Sequence, residues 1–244
     1  MARFVALTYS PWSEKARWAL DHHRIRYDLE EYVPMLGEPM LRVRLGRPFG
    51  RVSVPAWIDG EHRITDSFAI ARHADRTGSG ASLFPAGSLD TIVRWNERSE
   101  AALTAGRAMV VKKTSENRSA MEAALPQFIP SSLRPLLADV SRMGISFLRA
   151  KYGVATDMGE VERTLAEVLE ELRSALKGRT YLLDELSYAD LVMAVVVQLV
   201  RPVSDDYLPL APATRETWTH RPFEERFADL CDWRDALYAK HRRP

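Results

Sequence analysis

Tyr9-Ser10-Pro11-Trp12-Ser13 is the stretch on which the reading of this chain turns. It follows a run of β-formers, Arg3 to Thr8, and leads into Trp12 to His23, where Ala16, Ala19 and Leu20 recur at helical spacing. Proline suits the first position of a helix, because its missing N–H would have no partner there, so Pro11 nominates Ser10 as the N-cap. A side chain at that point sits where unpaired backbone N–H groups and the helix dipole favour negative charge, a thiolate included. Two readings stay open from these residues alone: Ser10 is a plain helix cap, or its hydroxyl serves a bound anion.

Working outward, Tyr27 to Val33 reads as a second strand. Pro39, Gly46, Pro48 and Gly50 then mark a loop-rich connection with a short helix near Met40 to Leu45. Val54 to Ile58, then Asp59-Gly60, then His62 to Thr65 reads as a hairpin, because Asp-Gly supplies the positive φ angles of a tight turn. Asp66 or Ser67 caps a helix running to about Arg76, and Gly78-Ser79-Gly80 ends it. Beyond Phe84-Pro85-Ala86-Gly87 apolar residues recur at three- and four-residue spacing and strand signals vanish. Leu89 to Val111, Val161 to Leu176 and Phe227 to His241 are the clearest helices, whereas Pro126, Pro130 and Pro135 interrupt the stretch from Glu116 to Pro135. The expected organisation is an α/β domain over residues 1–80, a linker over 81–88 and an all-helical domain over 89–244.

With 34 Lys plus Arg against 33 Asp plus Glu, the net charge of +1 supplies no overall field for nucleic acid or an anionic membrane. Cys231 is the sole cysteine, which excludes an internal disulfide framework and multi-cysteine metal sites and fits a reducing, cytoplasmic setting. The N-terminus does not read as a signal peptide, and the longest apolar run, Leu191 to Val200, is half of what a membrane span needs. Adjacent His22 and His23 point about 100° apart on a helix and read as solvated surface, as does the basic tail Lys240-His241-Arg242-Arg243. No metal site is expected.

Two more signals carry chemistry. Val54-Pro55 opens a strand, where a proline belongs at an edge, a strand start or a cis turn; in the cis case the Val54 backbone turns outward, able to pair with a peptide-like ligand. Asp66-Ser67 at a helix start offers N–H groups and a hydroxyl for a carboxylate and an acid for an ammonium, or else is a simple capping pair. Ser187-Tyr188-Ala189-Asp190 before Leu191 reads as a capping box in which Ser187 bonds the N–H three residues on and Asp190 reaches back.

Taken in order, Tyr9 to Leu20, Val54 to Gly60, Ile64 to Ile70, the Ser187–Asp190 box and Cys231 to Leu237 resemble a cytosolic glutathione transferase of the serine type. The resemblance implies an α/β thioredoxin-like N-terminal domain followed by an all-α C-terminal domain, a homodimer, and glutathione as co-substrate. It implies that Ser10 contacts the glutathione sulfur, with Ser13 and Tyr9 as alternatives for that role. Val54 beside Pro55 would pair with the cysteinyl backbone, and Asp66 and Ser67 would hold the γ-glutamyl end. Arg51 is the nearest cation to Val54, which Ser53 immediately precedes, and Trp12 counts with Arg51 among the implied glutathione-binding residues. The implied reaction is attack of the thiolate on a small hydrophobic electrophile, lodged near Trp12, Tyr32, Arg107 and Val111. The alternatives are a non-catalytic binding or scaffold protein, or a specialised glutathione-dependent lyase, isomerase or dehalogenase.

Overall fold

The structure, a computed structural model, describes residues 1–34, 36–123, 125, 130–133, 143, 144, 146, 147, 150, 151, 153, 155 and 157–242. Two compact units are formed: Met1–Glu97, Gly178–Val195 and Ala236–Pro244 make one, Arg98–Lys177 and Val196–Asp235 the other.

Strand β1 (Arg3–Ala6) organises the first unit, and its period of two explains why. Phe4 and Ala6 face one side, where they pack with Ala16, Leu20, Trp57, Ile70 and Ala74; Val5 faces the other, with Tyr32, Leu41, Leu45, Val52 and Ala56. Helices α1 (Pro11–His22) and α3 (Ser67–Thr77) therefore cover one face of the sheet, and α2 (Glu38–Leu45) the other. Strand β2 (Asp28–Glu31) pairs parallel with β1, from Arg3 opposite Asp28 to Ala6 opposite Glu31. Strand β3 (Ala56–Asp59) pairs antiparallel on the other flank and continues into β4 (His62–Ile64), giving the order β2-β1-β3-β4. The order of elements is β-α-β-α-β-β-α, a thioredoxin-like arrangement, and helices follow it.

The local signals explain most of these boundaries. Gly60 takes φ +58 in the β3–β4 turn, as an Asp-Gly hairpin requires, and Gly46 takes φ +62 to close α2. Gly78 ends α3 in an extended conformation for a different reason: a Cβ there would lie 2.5 Å from the His23 Cβ and 2.6 Å from its carbonyl. The strands are shorter than the β-former runs. β2 stops at Glu31, after which the Tyr32 N–H bonds the Ala6 carbonyl at 2.7 Å, and β3 begins at Ala56, beyond the cis Val54–Pro55 bond.

Helix α4 (Leu89–Glu116) outruns its expected end at Val111, and α5 (Arg118–Ala123) follows it. A short 3-10 turn, Ser131–Leu133, comes next, while Pro126 and Pro135 lie outside the described residues. In the second unit the Met158–Ala175 helix buries Val161, Leu165, Val168 and Leu172, alternating four and three residues apart, along one stripe. Asp157 caps it by accepting the N–H groups of Gly159 at 3.0 Å and Glu160 at 3.2 Å. No described helix is long and apolar enough to cross a membrane.

Candidate active site

Strand pairing brings the candidate residues to one edge. β1 ends at Ala6 and Val5 opposes Ala56, so the end of β1 and the start of β3 lie together. Trp57 opposes Ile64, which puts the end of β4 there as well. Tyr9, Ser10 and Trp12 follow β1, Val54 and Pro55 precede β3, and Asp66 and Ser67 follow β4, so two helix starts meet a strand start at that edge. Partial positive charge gathers at such helix ends.

Ser10 is the N-cap of α1, with extended φ −81 and ψ 125, and its carbonyl accepts the Glu14 N–H at 2.9 Å. Its side chain makes no cap hydrogen bond. Of the two readings open in the sequence, the plain cap would have used the hydroxyl. Ser13 is turned inward instead: it is 2% exposed, and its Oγ accepts the Leu7 N–H at 3.2 Å, which shapes the loop before Ser10. Tyr9 keeps 43% of its surface in solvent. Burial around its hydroxyl, and secondly the Glu31 carboxylate, push the phenol up to about 12. Tyr9 thus stays protonated near neutral pH, a donor and not a base.

Glu31 escaped the sequence reading. At the end of β2 its Oε1 accepts the Thr8 N–H at 3.1 Å and its Oε2 the Thr8 hydroxyl, pinning the loop that delivers Tyr9 and Ser10. A polar pair 23 residues apart leaves no signature in spacing.

At the second helix start, Asp66 is the N-cap of α3 and its Oδ1 accepts the Ala69 N–H at 2.8 Å. Asp66 is exposed, and Ser67 is 3% exposed. Phe68, next in the chain, meets Tyr188 edge-on at 5.6 Å, and Tyr188 stacks on Phe84 at 5.2 Å. Tyr188 begins the Tyr188–Val197 helix, whose box differs from the expected form. Asp190 does reach back, accepting the Ser187 N–H at 2.9 Å, but the Ser187 hydroxyl donates to the same carboxylate at 2.8 Å instead of accepting an N–H. Asp190 also accepts the Leu182 N–H at 2.7 Å. Burial outweighs these three donors and pushes its carboxyl upward.

Val54 lies outside the β1–β3 ladder, beside the cis Val54–Pro55 bond. Arg51 is exposed, Pro55 buried, and Trp12 half-buried. Tyr32, expected to line a second-substrate site, packs in the core under β1 at 7% exposure, and Val111 is buried at 6%. Two surface readings are corrected. His23 is 2% exposed, with Nε2 3.2 Å from Asp75 and Nδ1 3.3 Å from the Ser79 carbonyl. Arg242 is buried against α1 by ion pairs to Glu14 and Asp21. Both follow from partners distant in sequence. Among the described residues no group of three metal-ligating side chains forms.

Residues 9–77 match the glutathione S-transferase N-terminal domain and residues 117–240 the glutathione S-transferase C-terminal domain. No curated protein matches the chain. A glutathione S-transferase from Methylobacterium radiotolerans, solved with glutathione sulfonate, is 14% identical, with a TM-score of 0.64 over 98% of this chain and 91% of its own. One from Methylobacillus flagellatus, solved with glutathione bound, is 15% identical, with a TM-score of 0.61 over 100% of both chains. A beta-etherase from a Sphingobium species is 16% identical, with a TM-score of 0.63 over 98% of this chain and 95% of its own. At such identities these structures share the fold, which hosts more than one chemistry. Matches to both domains, over 69 and 124 residues, establish that the chain belongs to the glutathione S-transferase family.

Proposed function

We propose that this protein binds glutathione at the sheet edge where α1 and α3 begin and activates its thiol for attack on a small hydrophobic electrophile. The observation that carries this reading is the Ser10 hydroxyl, at the start of α1 yet unused by the helix as a cap. In that position it donates to the glutathione sulfur, while the orphan N–H groups and dipole of α1 lower the thiol pKa. The backbone of Val54, outside the ladder, pairs with the cysteinyl unit. Asp66 meets the γ-glutamyl ammonium, and Ser67, with the N–H groups at the start of α3, meets its carboxylate. Arg51 supplies the cation for the glycyl carboxylate. The glutathione sulfonate bound to one structural relative and the glutathione bound to another support the same ligand class.

In the reaction the sulfur lone pair forms a bond to the electrophilic carbon, the leaving group departs with its electron pair, and the thiol proton passes to solvent. Serine does not attack. Cys231, 1% exposed and with its thiol pushed up by burial, takes no part.

Homodimer formation belongs to the same proposal. Leu36, Met40 and Val43, spaced four and three residues apart along α2 and its lead-in, are 69%, 53% and 76% exposed, and Phe49 is 88% exposed. An exposed apolar stripe of this kind supports the dimer reading.

Titration calorimetry with glutathione up to millimolar concentration tests the binding, and absence of heat would sink the reading. Where binding is seen, Ser10→Ala removes one charge-assisted hydrogen bond, about 1.5–3 kcal/mol, and raises the pKa of bound glutathione by about 1–2 units. Thiolate absorbance against pH reads this shift; an unchanged pKa would take the role from Ser10 and move it to Tyr9, since Ser13 is turned inward onto the Leu7 N–H.

A further inference from the structure

Arg242 directly follows the Ala228–His241 helix, and its side chain is 2% exposed. Nε donates to Glu14 Oε1 at 2.8 Å, Nη2 to Glu14 Oε2 at 3.3 Å and Nη1 to Asp21 Oδ2 at 2.8 Å. One guanidinium thus spans two carboxylates of α1, one in its first turn and one near its end. The Tyr238 hydroxyl also donates to Glu14 Oε1, at 3.3 Å, while Asp21 takes the Tyr27 hydroxyl at 2.7 Å and faces Arg17 at 3.8 Å. The Glu14 side chain is 13% exposed, so water screens it poorly.

Glu14 stands one turn from Ser10, and its N–H makes the first hydrogen bond of the helix to the Ser10 carbonyl. Its unbalanced carboxylate would oppose an anion at the start of α1, cancelling part of the dipole's attraction. A buried carboxylate also needs a partner to be tolerated at all. The bidentate guanidinium meets both requirements, because it satisfies both oxygens and cancels their field.

We propose that Arg242 is a positioning residue that neutralises Glu14 and so keeps the start of α1 favourable to an anion at residue 10. The functional use of that field rests on the glutathione reading; the field itself does not.

Ser10→Cys in the full chain turns residue 10 into its own probe. Cys231 is buried and does not interfere, so thiolate absorbance and the alkylation rate against pH report Cys ionisation at position 10. A unit charge about 10 Å away, at an effective dielectric constant of about 20 to 80, moves that pKa by roughly 0.3 to 1.2 units. Arg242→Met in this background is expected to raise the pKa by that amount, a roughly two- to fifteen-fold loss of thiolate at neutral pH. Arg242→Lys, which keeps the charge, stays near the parent, and adding Glu14→Gln to Arg242→Met restores it. The proposal is overturned by an unchanged pKa in Arg242→Met, by a double variant as high as the single, or by Lys and Met shifting it equally. Should Arg242→Met fail to fold by circular dichroism, Glu14→Gln alone decides: it lowers the pKa, and no change overturns the proposal. Glutathione titration of the unaltered chain is separate, and its failure removes the proposed function while the Cys titration still judges the field.

Discussion

Asp190→Ala is expected to cost this protein more than most single substitutions. Asp190 is 0% exposed and accepts three hydrogen bonds, from the N–H groups of Leu182 and Ser187 and from the Ser187 hydroxyl. Alanine leaves two buried backbone N–H groups unpaired, at about 1–3 kcal/mol each, while the hydroxyl can turn toward another acceptor. Against this stands the cost of burying the acid, which already pushes its carboxyl upward and returns on the order of 1 kcal/mol when the group is removed. The net loss is about 3 kcal/mol, a large share of the roughly 5–15 kcal/mol that holds a typical domain together. For a chain of this length it corresponds to a fall in Tm of roughly 6–12 °C. Differential scanning calorimetry or urea unfolding measures it, with the midpoint as readout because two units are present. Asp190→Asn keeps one acceptor oxygen but turns an amide donor toward the other N–H, and is expected to lose about half as much. The effect should extend to the candidate site, since the capped Tyr188 packs on Phe68 in the first turn of α3, and the proposed affinity for glutathione is expected to weaken with stability. A fall in Tm below about 2 °C for Asp190→Ala would refute the reasoning, because it would mean the three donors had found other partners.

The histidines set a pH dependence. His23, His73, His220 and His241 are all held below the ordinary imidazole value, with burial as the main cause in each. Folded chains then bind fewer protons than unfolded ones as the pH falls through about 6.5, so stability is present above that value and is lost below it, by at most about 1.4 kcal/mol per pH unit per histidine. Urea midpoints at pH 7.5 and about 5.5 check this, and a midpoint that holds or rises at the lower pH would contradict it. For the dimer, sedimentation velocity should find two copies for the unaltered chain and one for Val43→Asp with Phe49→Asp, since both residues are exposed and the substitutions leave the core intact. A monomeric unaltered chain at micromolar concentration would remove the dimer from the proposal.

Much of the first domain was legible because its boundaries rest on neighbours in sequence. Pro11 starting a helix, Gly60 turning a hairpin and Asp66 capping through the Ala69 N–H are each decided within about four residues. The Met158–Ala175 helix was legible for the same reason, its stripe being a local period. Strand lengths were less so. The β-former run at Tyr27 to Val33 keeps only Asp28–Glu31 as strand, since a residue becomes strand by pairing, and β1 offers partners only from Arg3 to Ala6.

By itself, the sequence determined the order of elements, the Ser10, Val54-Pro55 and Asp66-Ser67 signals and the likeness to a glutathione transferase, because capping, turn chemistry and periodicity are short-range effects. The tertiary structure decided which of those side chains are engaged and by what. It turned Ser13 inward onto the Leu7 N–H while leaving the Ser10 hydroxyl out of the helix cap, and it sank Tyr32 into the core. It also carried Arg242, read as a solvated tail, across 228 residues to Glu14. A charge is buried or solvated according to what the folded chain brings within about 3 Å of it, and no local pattern encodes that distance.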